Sequence, residues 1–234
     1  MFSAAAPLFL YDIDGTLLLT GGSGYRSFLR ACYEVLGIDG PIRNIHMAGK
    51  LDRVIFHEIV EAFRPDLAGI DVTSYWESFR ERYVEYLTLE SRHPAEWRLL
   101  PGVRALVEYT ASLGKLALLT GNISEGARIK VGTVGLAGFF PTGGYGEEYM
   151  SRAQLAQVAF ERACEHYRIA FSAEATYVLG DTVSDITAAR AIGARVIAVA
   201  TGTVSMAELA EAGPDLLVEN FETGDCQVRG FLPH

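Results

Sequence analysis

PLFLYDIDGT, residues 7–16, joins a short apolar run to two closely spaced carboxylates. The run is typical of a buried strand, and Asp12 and Asp14 follow where that strand would end. Side chains two positions apart on an extended chain point to the same side, and Gly15 allows a sharp turn after them. Two carboxylates held this close repel each other unless a cation joins them. Because hard oxygen ligands suit Mg²⁺, the stretch predicts a magnesium-dependent active site.

The composition of the 234-residue chain is that of a folded, acidic protein. Half of the residues are hydrophobic, and the formal net charge of -9 argues against a nucleic-acid partner. No stretch is apolar and long enough to span a membrane, and residues 1–11 lack the basic leader of a signal peptide. Three widely spaced cysteines, Cys32, Cys164 and Cys226, are expected to be reduced thiols in the cytoplasm.

From Pro101 onward, short apolar strands alternate with helices. Strands are predicted at residues 115–120, 176–179, 195–200 and 215–218, and helices at 101–112, 124–134, 152–167 and 184–192. This alternation is typical of a parallel sheet covered by helices on both faces. The predicted fold class is therefore α/β, a three-layer doubly wound parallel sheet that binds ligands beyond the carboxyl ends of its strands.

Residues 20–96 differ from the rest of the chain because they contain helical patterns and no strand. After a glycine-rich hinge, helices are predicted at residues 25–36, 51–63 and 74–89. We therefore expect an inserted all-helical cap domain at 20–96 and a catalytic core formed by residues 1–19 and 97–234.

Two groups of residues in the predicted cap have both a functional and a structural interpretation. The polar segment 46–52 is broken by a glycine and is a candidate for substrate contacts through His46 or Lys50, although both residues are also typical of ordinary surface. Aromatic residues recur at helical spacing and are most simply explained as the cap's own core: Tyr75, Trp76, Phe79 and Tyr83.

Polar residues that follow the predicted strands can be assembled into one reaction. Asp12 is a candidate nucleophile that attacks phosphorus and forms an aspartyl phosphate. Asp14 would protonate the leaving alcohol and later deprotonate the attacking water. Asp181 and Asp185 can reach the cation that Asp12 begins to hold. A turn role for Asp181 and a helix-capping role for Asp185 are the structural alternatives.

Negative charge on the phosphoryl oxygens requires fixed hydrogen-bond donors. The segment after the strand at 115–120 offers the Thr120 hydroxyl, the Gly121 amide and Asn122. A helix that begins near Ser124 would aim its free amides toward the same anion. These residues predict a phosphate-binding segment at this strand end.

A cationic side chain should hold the phosphoryl group against the nucleophile. Arg152, at the start of a predicted helix, is the first candidate, and Lys130 is the second. The alternative without a functional role is that Arg152 neutralises Glu147 or Glu148 at the surface.

The three motifs together resemble the haloacid dehalogenase superfamily of phosphohydrolases. They are Asp-Ile-Asp-Gly-Thr at 12–16, Thr-Gly-Asn at 120–122 and Gly-Asp-Thr-Val-Ser-Asp at 180–185. The resemblance covers almost the whole chain. Segments 116–122, 126–130 and 135–136 are similar to the phosphoglycolate phosphatase-like branch, whose C1-type cap is a helical insert after the first motif.

The resemblance implies roles for the matching residues. Asp12 would be the nucleophile and Asp14 the acid/base, on a Rossmann-like core. Mg²⁺ would be held by Asp12, by the main-chain carbonyl of Asp14 and by the last acidic motif, which contains Asp181 and Asp185. The chain departs from the family pattern at Arg152, where a lysine followed by proline is usual.

These residues predict a magnesium-dependent phosphatase that hydrolyses a small phosphate monoester, phosphoglycolate-like or a sugar phosphate. A phosphosugar mutase of the same superfamily is the alternative, because the same core can return the phosphoryl group to the substrate. Dehalogenation and phosphonate cleavage explain Asp14 less well, and Asp12 with Asp14 argues against a non-catalytic phosphate-binding module. The expected partner is a small phosphorylated metabolite, without nucleic acid or membrane, and the chain is expected to be a monomer or homodimer.

Overall fold

The strands of the protein form one large sheet and one small ribbon in a computed structural model that describes residues 6–147 and 151–233. In chain order they are β1 (Leu8–Tyr11), β2 (Leu18–Leu19), β3 (Arg98–Leu99), β4 (Lys115–Leu119), β5 (Gly143–Gly144), β6 (Thr176–Gly180), β7 (Arg195–Val199) and β8 (Leu216–Val218). The six-stranded sheet has the order β5-β4-β1-β6-β7-β8, and its neighbouring strands are parallel. Strands β2 and β3 pair antiparallel.

Helices cover the sheet and fill the interval between β2 and β3. They are α1 (Ser23–Leu36), α2 (Asp52–Phe63), α3 (Thr73–Ser91), α4 (Val103–Leu113), α5 (Ser124–Thr133), α6 (Arg152–Tyr167), α7 (Val183–Ala191), α8 (Met206–Glu211) and α9 (Asp225–Phe231). Among the described residues, no helix combines the length and hydrophobicity needed to cross a membrane. Cys32, Cys164 and Cys226 are free thiols.

Strand β1 is buried on both faces, which explains its unbroken apolar sequence. Phe9 and Tyr11 belong to the apolar cluster on one face of the sheet, whereas Leu8 and Leu10 belong to the cluster on the other face. All four side chains are fully buried. This is the pattern expected of a central strand in a parallel sheet. The predicted fold class, a doubly wound α/β sheet with an inserted helical unit, is confirmed.

Helices α1 to α3, with their connections between β2 and β3, form a helical insert with its own apolar cluster. Aromatic rings dominate this cluster: the ring centroids of Phe28 and Phe79 are 4.6 Å apart, and those of Phe79 and Tyr83 are 5.7 Å apart. The chain enters and leaves the insert through the β2–β3 ribbon. The division into a catalytic core and a cap, with boundaries at residues 20 and 96, remains a prediction. Residues 1–5 of the predicted core lie outside the described part of the chain.

The sequence prediction omitted five short elements. Strands β2, β3 and β5 have two residues each, too few to show any periodicity. Helices α8 and α9 have six and seven residues. Only α8 carried a start signal, since Ser205 and Glu208 form a capping box there.

Candidate active site

Three buried carboxylates meet at the carboxyl end of the sheet. Asp12 follows β1, Asp181 follows the neighbouring β6, and Asp185 lies in the first turn of α7; one oxygen of each is within 4.8 Å of the others. Burial raises the pKa of Asp12, although the Arg152 guanidinium opposes the shift. Burial and then the charge of Asp12 raise the pKa of Asp181. The cluster thus has three carboxylates against the single guanidinium of Arg152, and its hard oxygen donors fit a divalent cation such as Mg²⁺.

Asp185 also has the structural role that the sequence left open. One of its carboxylate oxygens accepts hydrogen bonds from the Thr182 main-chain N–H at 3.1 Å and the Thr182 hydroxyl at 2.7 Å, which caps α7. Its other oxygen accepts a hydrogen bond from Arg152. Asp185 is thus tied to the helix and to the arginine, whereas Asp181 accepts one hydrogen bond, from the Thr16 hydroxyl at 3.0 Å.

Arg152 lies against the candidate nucleophile. It is the first residue of α6 and is almost fully buried, and its guanidinium contacts Asp185 and lies 3.0 Å from Asp12 Oδ1. Burial opposes the charged form, but Asp185 and Asp12 raise the pKa of Arg152 above its ordinary value. The Nε–H of Arg152 is buried without a partner among the described residues. Glu148, one of the predicted surface partners, lies outside the described residues.

Lys130 and Asn122 hold the second carboxylate, Asp14. Lys130 Nζ lies 2.8 and 2.6 Å from the two Asp14 oxygens and 2.6 Å from Asn122 Oδ1. Asn122 Nδ2 donates to Asp14 Oδ2 and to the Thr120 hydroxyl, both at 2.8 Å. The sequence offered Asn122 as a phosphate-binding residue and Lys130 as the second candidate for the phosphate-holding cation. In the structure, the side chains of both residues contact Asp14.

The amides at the start of α5 bind the protein's own carboxylates. Ile123 N–H donates to Asp52 Oδ2 and Ser124 N–H donates to Glu147 Oε2, each at 2.9 Å. The predicted use of these free amides for phosphate is therefore wrong for both positions. A helix N-terminus attracts anions, and Asp52 and Glu147 supply them.

Gly121 is the point where the helical insert contacts the sheet end. Its carbonyl accepts a hydrogen bond from Asp52 N–H at 2.8 Å. A Cβ atom on Gly121 would collide with the main-chain carbonyl of Lys50. The sequence related this glycine to close approach of a phosphate, but in the structure the chain approaching Gly121 is the start of α2.

A cavity of about 480 Å³ separates the carboxylate cluster from the helical insert. Its sheet side includes the predicted Asp12, Asp14, Gly121, Asn122, Arg152 and Asp181. Lys50 also lines the cavity, but both oxygens of Glu58 lie 2.6 Å from its Nζ. His46 is absent from the described lining.

Sequence reasoning missed residues on both sides of this cavity. Thr201 follows β7 and donates from its hydroxyl to the Gly15 carbonyl at 2.6 Å, and a side chain on the adjacent Gly202 would collide with Asp181. The rule that strand ends carry function could have identified this loop, because β7 is a neighbour of β6. Asp52 had only the weak signal of an acidic residue at a helix start.

The fold and the site define a class of α/β proteins in which a carboxylate after the first strand of a parallel sheet faces a helical insert. The chain belongs to the haloacid dehalogenase-like hydrolases, the family that matches residues 7–193. The family prediction and the prediction of a hydrolytic enzyme are confirmed.

Solved structures share this fold over nearly the whole chain. A predicted phosphoglycolate phosphatase from Haemophilus somnus 129pt has a TM-score of 0.71 and 17% identity, covering 98% of this chain and 100% of that chain. CbbY from Rhodobacter sphaeroides in complex with phosphate has a TM-score of 0.70 and 19% identity, covering 94% and 96%. A haloacid dehalogenase-like family hydrolase from Streptococcus pneumoniae has a TM-score of 0.65 and 19% identity, covering 97% and 98%. No curated protein matches the chain.

Proposed function

We propose that this protein is a magnesium-dependent phosphatase that hydrolyses a small phosphate monoester through an aspartyl phosphate on Asp12. The observation that carries the proposal is the buried contact of Asp12 with Arg152 at a cavity that Asp181 also lines, with Asp185 in the same carboxylate cluster. A nucleophile, a cation site and a partner for phosphoryl oxygens are then side by side. Membership of a hydrolase family supports the same reaction class.

In the first half of the reaction, an Asp12 oxygen attacks phosphorus and the bond from phosphorus to the alcohol oxygen breaks. Asp14 gives a proton to the departing alcohol oxygen. Lys130 and Asn122 keep the Asp14 carboxyl at the cavity through their contacts with its oxygens. The result is a neutral alcohol and a phosphoryl group on Asp12.

In the second half, a water molecule attacks the phosphorus of the aspartyl phosphate. Asp14 takes a proton from this water, and the bond from phosphorus to the Asp12 oxygen breaks. Inorganic phosphate leaves and the Asp12 carboxylate is regenerated. Two carboxyls are needed because one is covalently occupied while the other moves the proton.

Asp12, Asp181 and the main-chain carbonyl of Asp14 would hold Mg²⁺, with Asp185 supporting the site through its position and charge. When bound, Mg²⁺ supplies charge neutralisation and polarises a phosphoryl oxygen. Arg152 would donate to the phosphoryl group, and its unpartnered buried Nε–H supports that role.

Phosphate binding would also use donors at the end of β4. The Thr120 hydroxyl is buried beside Asn122, and Gly121 lines the cavity. The helical insert would act as the cap that excludes bulk water from the aspartyl phosphate. Segment 47–52 supports this role because it lies in the cavity wall and joins α2 to Gly121.

The test is hydrolysis of a panel of phosphate monoesters with and without Mg²⁺ by the wild type and the variant Asp12→Asn. We expect release of inorganic phosphate that requires Mg²⁺, and a loss of at least about a thousandfold in the variant. Asp225→Asn, a surface change on α9, is the matched control and should keep full activity. Full activity of Asp12→Asn would exclude the proposed nucleophile, and formation of an isomeric sugar phosphate would indicate a mutase.

A further inference from the structure

The wall of the cavity that faces away from the carboxylate cluster is mainly apolar. Its large hydrophobic and aromatic side chains come from the helical insert and β2, beside the polar Thr20, Lys50 and Asp52, and they are Leu19, Tyr25, Phe28, Met47, Ile55 and Tyr83. Phe28, Ile55 and Tyr83 also belong to the buried aromatic and aliphatic cluster of the insert. The part of a substrate beyond the phosphoryl group would therefore contact hydrocarbon surfaces with few polar groups.

The cations that line the cavity are already paired with carboxylates. Among the residues that the structure describes, they are Arg152, which contacts Asp12 and Asp185, Lys130, which contacts Asp14, and Lys50, which contacts Glu58. In the proposed reaction, Arg152 donates to the phosphoryl group. A second anion on the substrate would have to share Lys130 or Lys50 with the carboxylate that the lysine already contacts.

Asp52 is a further carboxyl group in the cavity wall and offers no positive charge to a second anion. Asp52 lines the same cavity, is buried, and is held by the Ile123 amide at 2.9 Å through one oxygen. In its ionised form, Asp52 would repel a carboxylate or second phosphate on the alcohol portion, because like charges repel strongly in a setting of low polarity. An uncharged group has no such cost.

We propose that the substrate is the monophosphate ester of an uncharged, mainly apolar alcohol, alkyl or aryl, that carries no second anionic group. This substrate class rests on the proposed phosphatase function and narrows it. Phosphoglycolate, one of the candidate substrates from the sequence, is disfavoured because its carboxylate meets apolar side chains and cations that are already paired. The cavity volume of about 480 Å³ accommodates such an ester, since small-molecule pockets span about 300–1,000 Å³.

The test compares esters that differ only in a remote charge. Benzyl phosphate is compared with 4-carboxybenzyl phosphate, and n-butyl phosphate with 3-carboxypropyl phosphate, by kcat/KM in the presence of Mg²⁺. We expect the uncharged member of each pair to be preferred at least about tenfold. Along an n-alkyl series, kcat/KM should rise by about fourfold per methylene group until the cavity is filled. Glycerol 1-phosphate, uncharged but polar in its alcohol portion, should be slower than n-butyl phosphate.

Binding provides a readout that does not depend on turnover. Calorimetric titration of Asp12→Asn should show tighter binding of benzyl phosphate than of 4-carboxybenzyl phosphate, the same order as expected for kcat/KM.

A positive charge added to the cavity wall should shift the preference toward the carboxylated ester. Tyr25 is 51% exposed, so Tyr25→Lys can be accommodated without disturbing the core. Tyr25→Lys should raise the kcat/KM of the carboxylated ester relative to that of the uncharged ester by about three- to fivefold, whereas Tyr25→Phe should leave this ratio unchanged.

Two kinds of failure are distinguishable. If esters of every class resist hydrolysis at all Mg²⁺ concentrations, the proposed phosphatase function fails and the substrate class fails with it. If hydrolysis requires Mg²⁺ and Asp12 but carboxylated, bisphosphorylated or polyol esters are preferred, the function stands and the proposed substrate class is overturned.

Discussion

Two buried cations each hold one of the two candidate catalytic carboxylates. Arg152 contacts Asp12, and Lys130 contacts both oxygens of Asp14. Arg152 is also tied to Asp185, and Lys130 to Asn122. Because the two carboxylates have different roles in the proposed reaction, substitutions of the two cations should affect different steps.

Arg152→Lys tests the need for a guanidinium at the nucleophile. A lysine keeps the charge, but its three donors lie on one nitrogen and are less widely spaced than those of the guanidinium that contacts both Asp12 and Asp185. We expect kcat/KM to fall by about 10- to 100-fold while the variant remains folded, as measured by steady-state kinetics and circular dichroism. Arg190→Lys, which changes a surface ion pair with Asp215, is the matched control and should be active. Unchanged kcat/KM in Arg152→Lys would remove Arg152 from phosphate binding.

Lys130→Met tests whether Lys130 positions Asp14 for proton transfer. The variant removes the contacts at 2.6 and 2.8 Å that hold the Asp14 carboxyl. An alkyl phosphate needs a proton on its leaving oxygen, whereas p-nitrophenyl phosphate has a stable leaving anion. We expect a loss of about tenfold or more in kcat for the alkyl ester and of less than about threefold for the nitrophenyl ester.

Two further variants make the Lys130 test specific. Lys130→Arg should recover part of the activity toward the alkyl ester, because it restores a donor to Asp14. Combining Lys130→Met with Asp14→Asn should be no worse than Asp14→Asn alone, since both changes remove the same function. An equal loss on both esters would instead assign Lys130 to general stability of the site.

At the scale of elements, Asp52 joins the helical insert to the sheet. It is the first residue of α2, its main-chain N–H donates to Gly121, and its carboxylate accepts from the Ile123 amide just before α5. Burial raises the pKa of Asp52 to about 7, although Lys130 and the Ile123 amide oppose the shift. The charged form of this carboxyl therefore costs stability in the folded protein.

The sign of the contribution of Asp52 to the unfolding free energy can be tested by varying the pH. A carboxyl whose folded pKa is raised contributes stability below its unfolded pKa of about 3.8 and loses that contribution as the pH rises through about 7. Asp52→Asn keeps an oxygen acceptor and does not titrate. The difference in unfolding free energy, wild type minus variant, should therefore fall between about pH 4 and pH 7, by at most about 1.4 kcal/mol per pH unit.

Chemical denaturation of the wild type and Asp52→Asn at several pH values measures this difference. A difference that rises with pH would mean that the folded protein favours the charged form of Asp52.

The strand ends explain how much of the site could be predicted from the sequence. Asp12, Asp14 and Asp181 follow apolar runs, and neighbouring parallel strands bring such ends together. Lys130 could not be placed, because its contact with Asp14 depends on a long side chain reaching back from within α5. Asp52 could not be assigned either, because its contacts with residues about 70 positions away depend on how the helical insert packs on the sheet.

At the scale of the whole molecule, the carboxylate cluster is formed by residues that are far apart in the sequence. Asp12 follows the first strand, whereas Asp181 and Asp185 follow the sixth. The cluster lies at one end of a sheet that is buried on both faces, and the cavity above it is closed by an insert with its own apolar cluster. A cation bound there would stabilise the folded protein and have no comparable site in the unfolded chain.

Thermal unfolding with and without Mg²⁺ tests this linkage without any substrate. At a Mg²⁺ concentration about 100 times the dissociation constant, binding adds about 2.7 kcal/mol, which for a chain of this size raises Tm by about 5–10 °C. Asp181→Asn should lose most of this increase, because it removes a charged ligand, whereas Asp225→Asn should keep it. Without Mg²⁺, Asp181→Asn should be at least as stable as the wild type, because burial raises the pKa of Asp181 and the amide carries no charge to bury. An equal Mg²⁺-dependent rise in Tm in the wild type and Asp181→Asn would place the cation elsewhere.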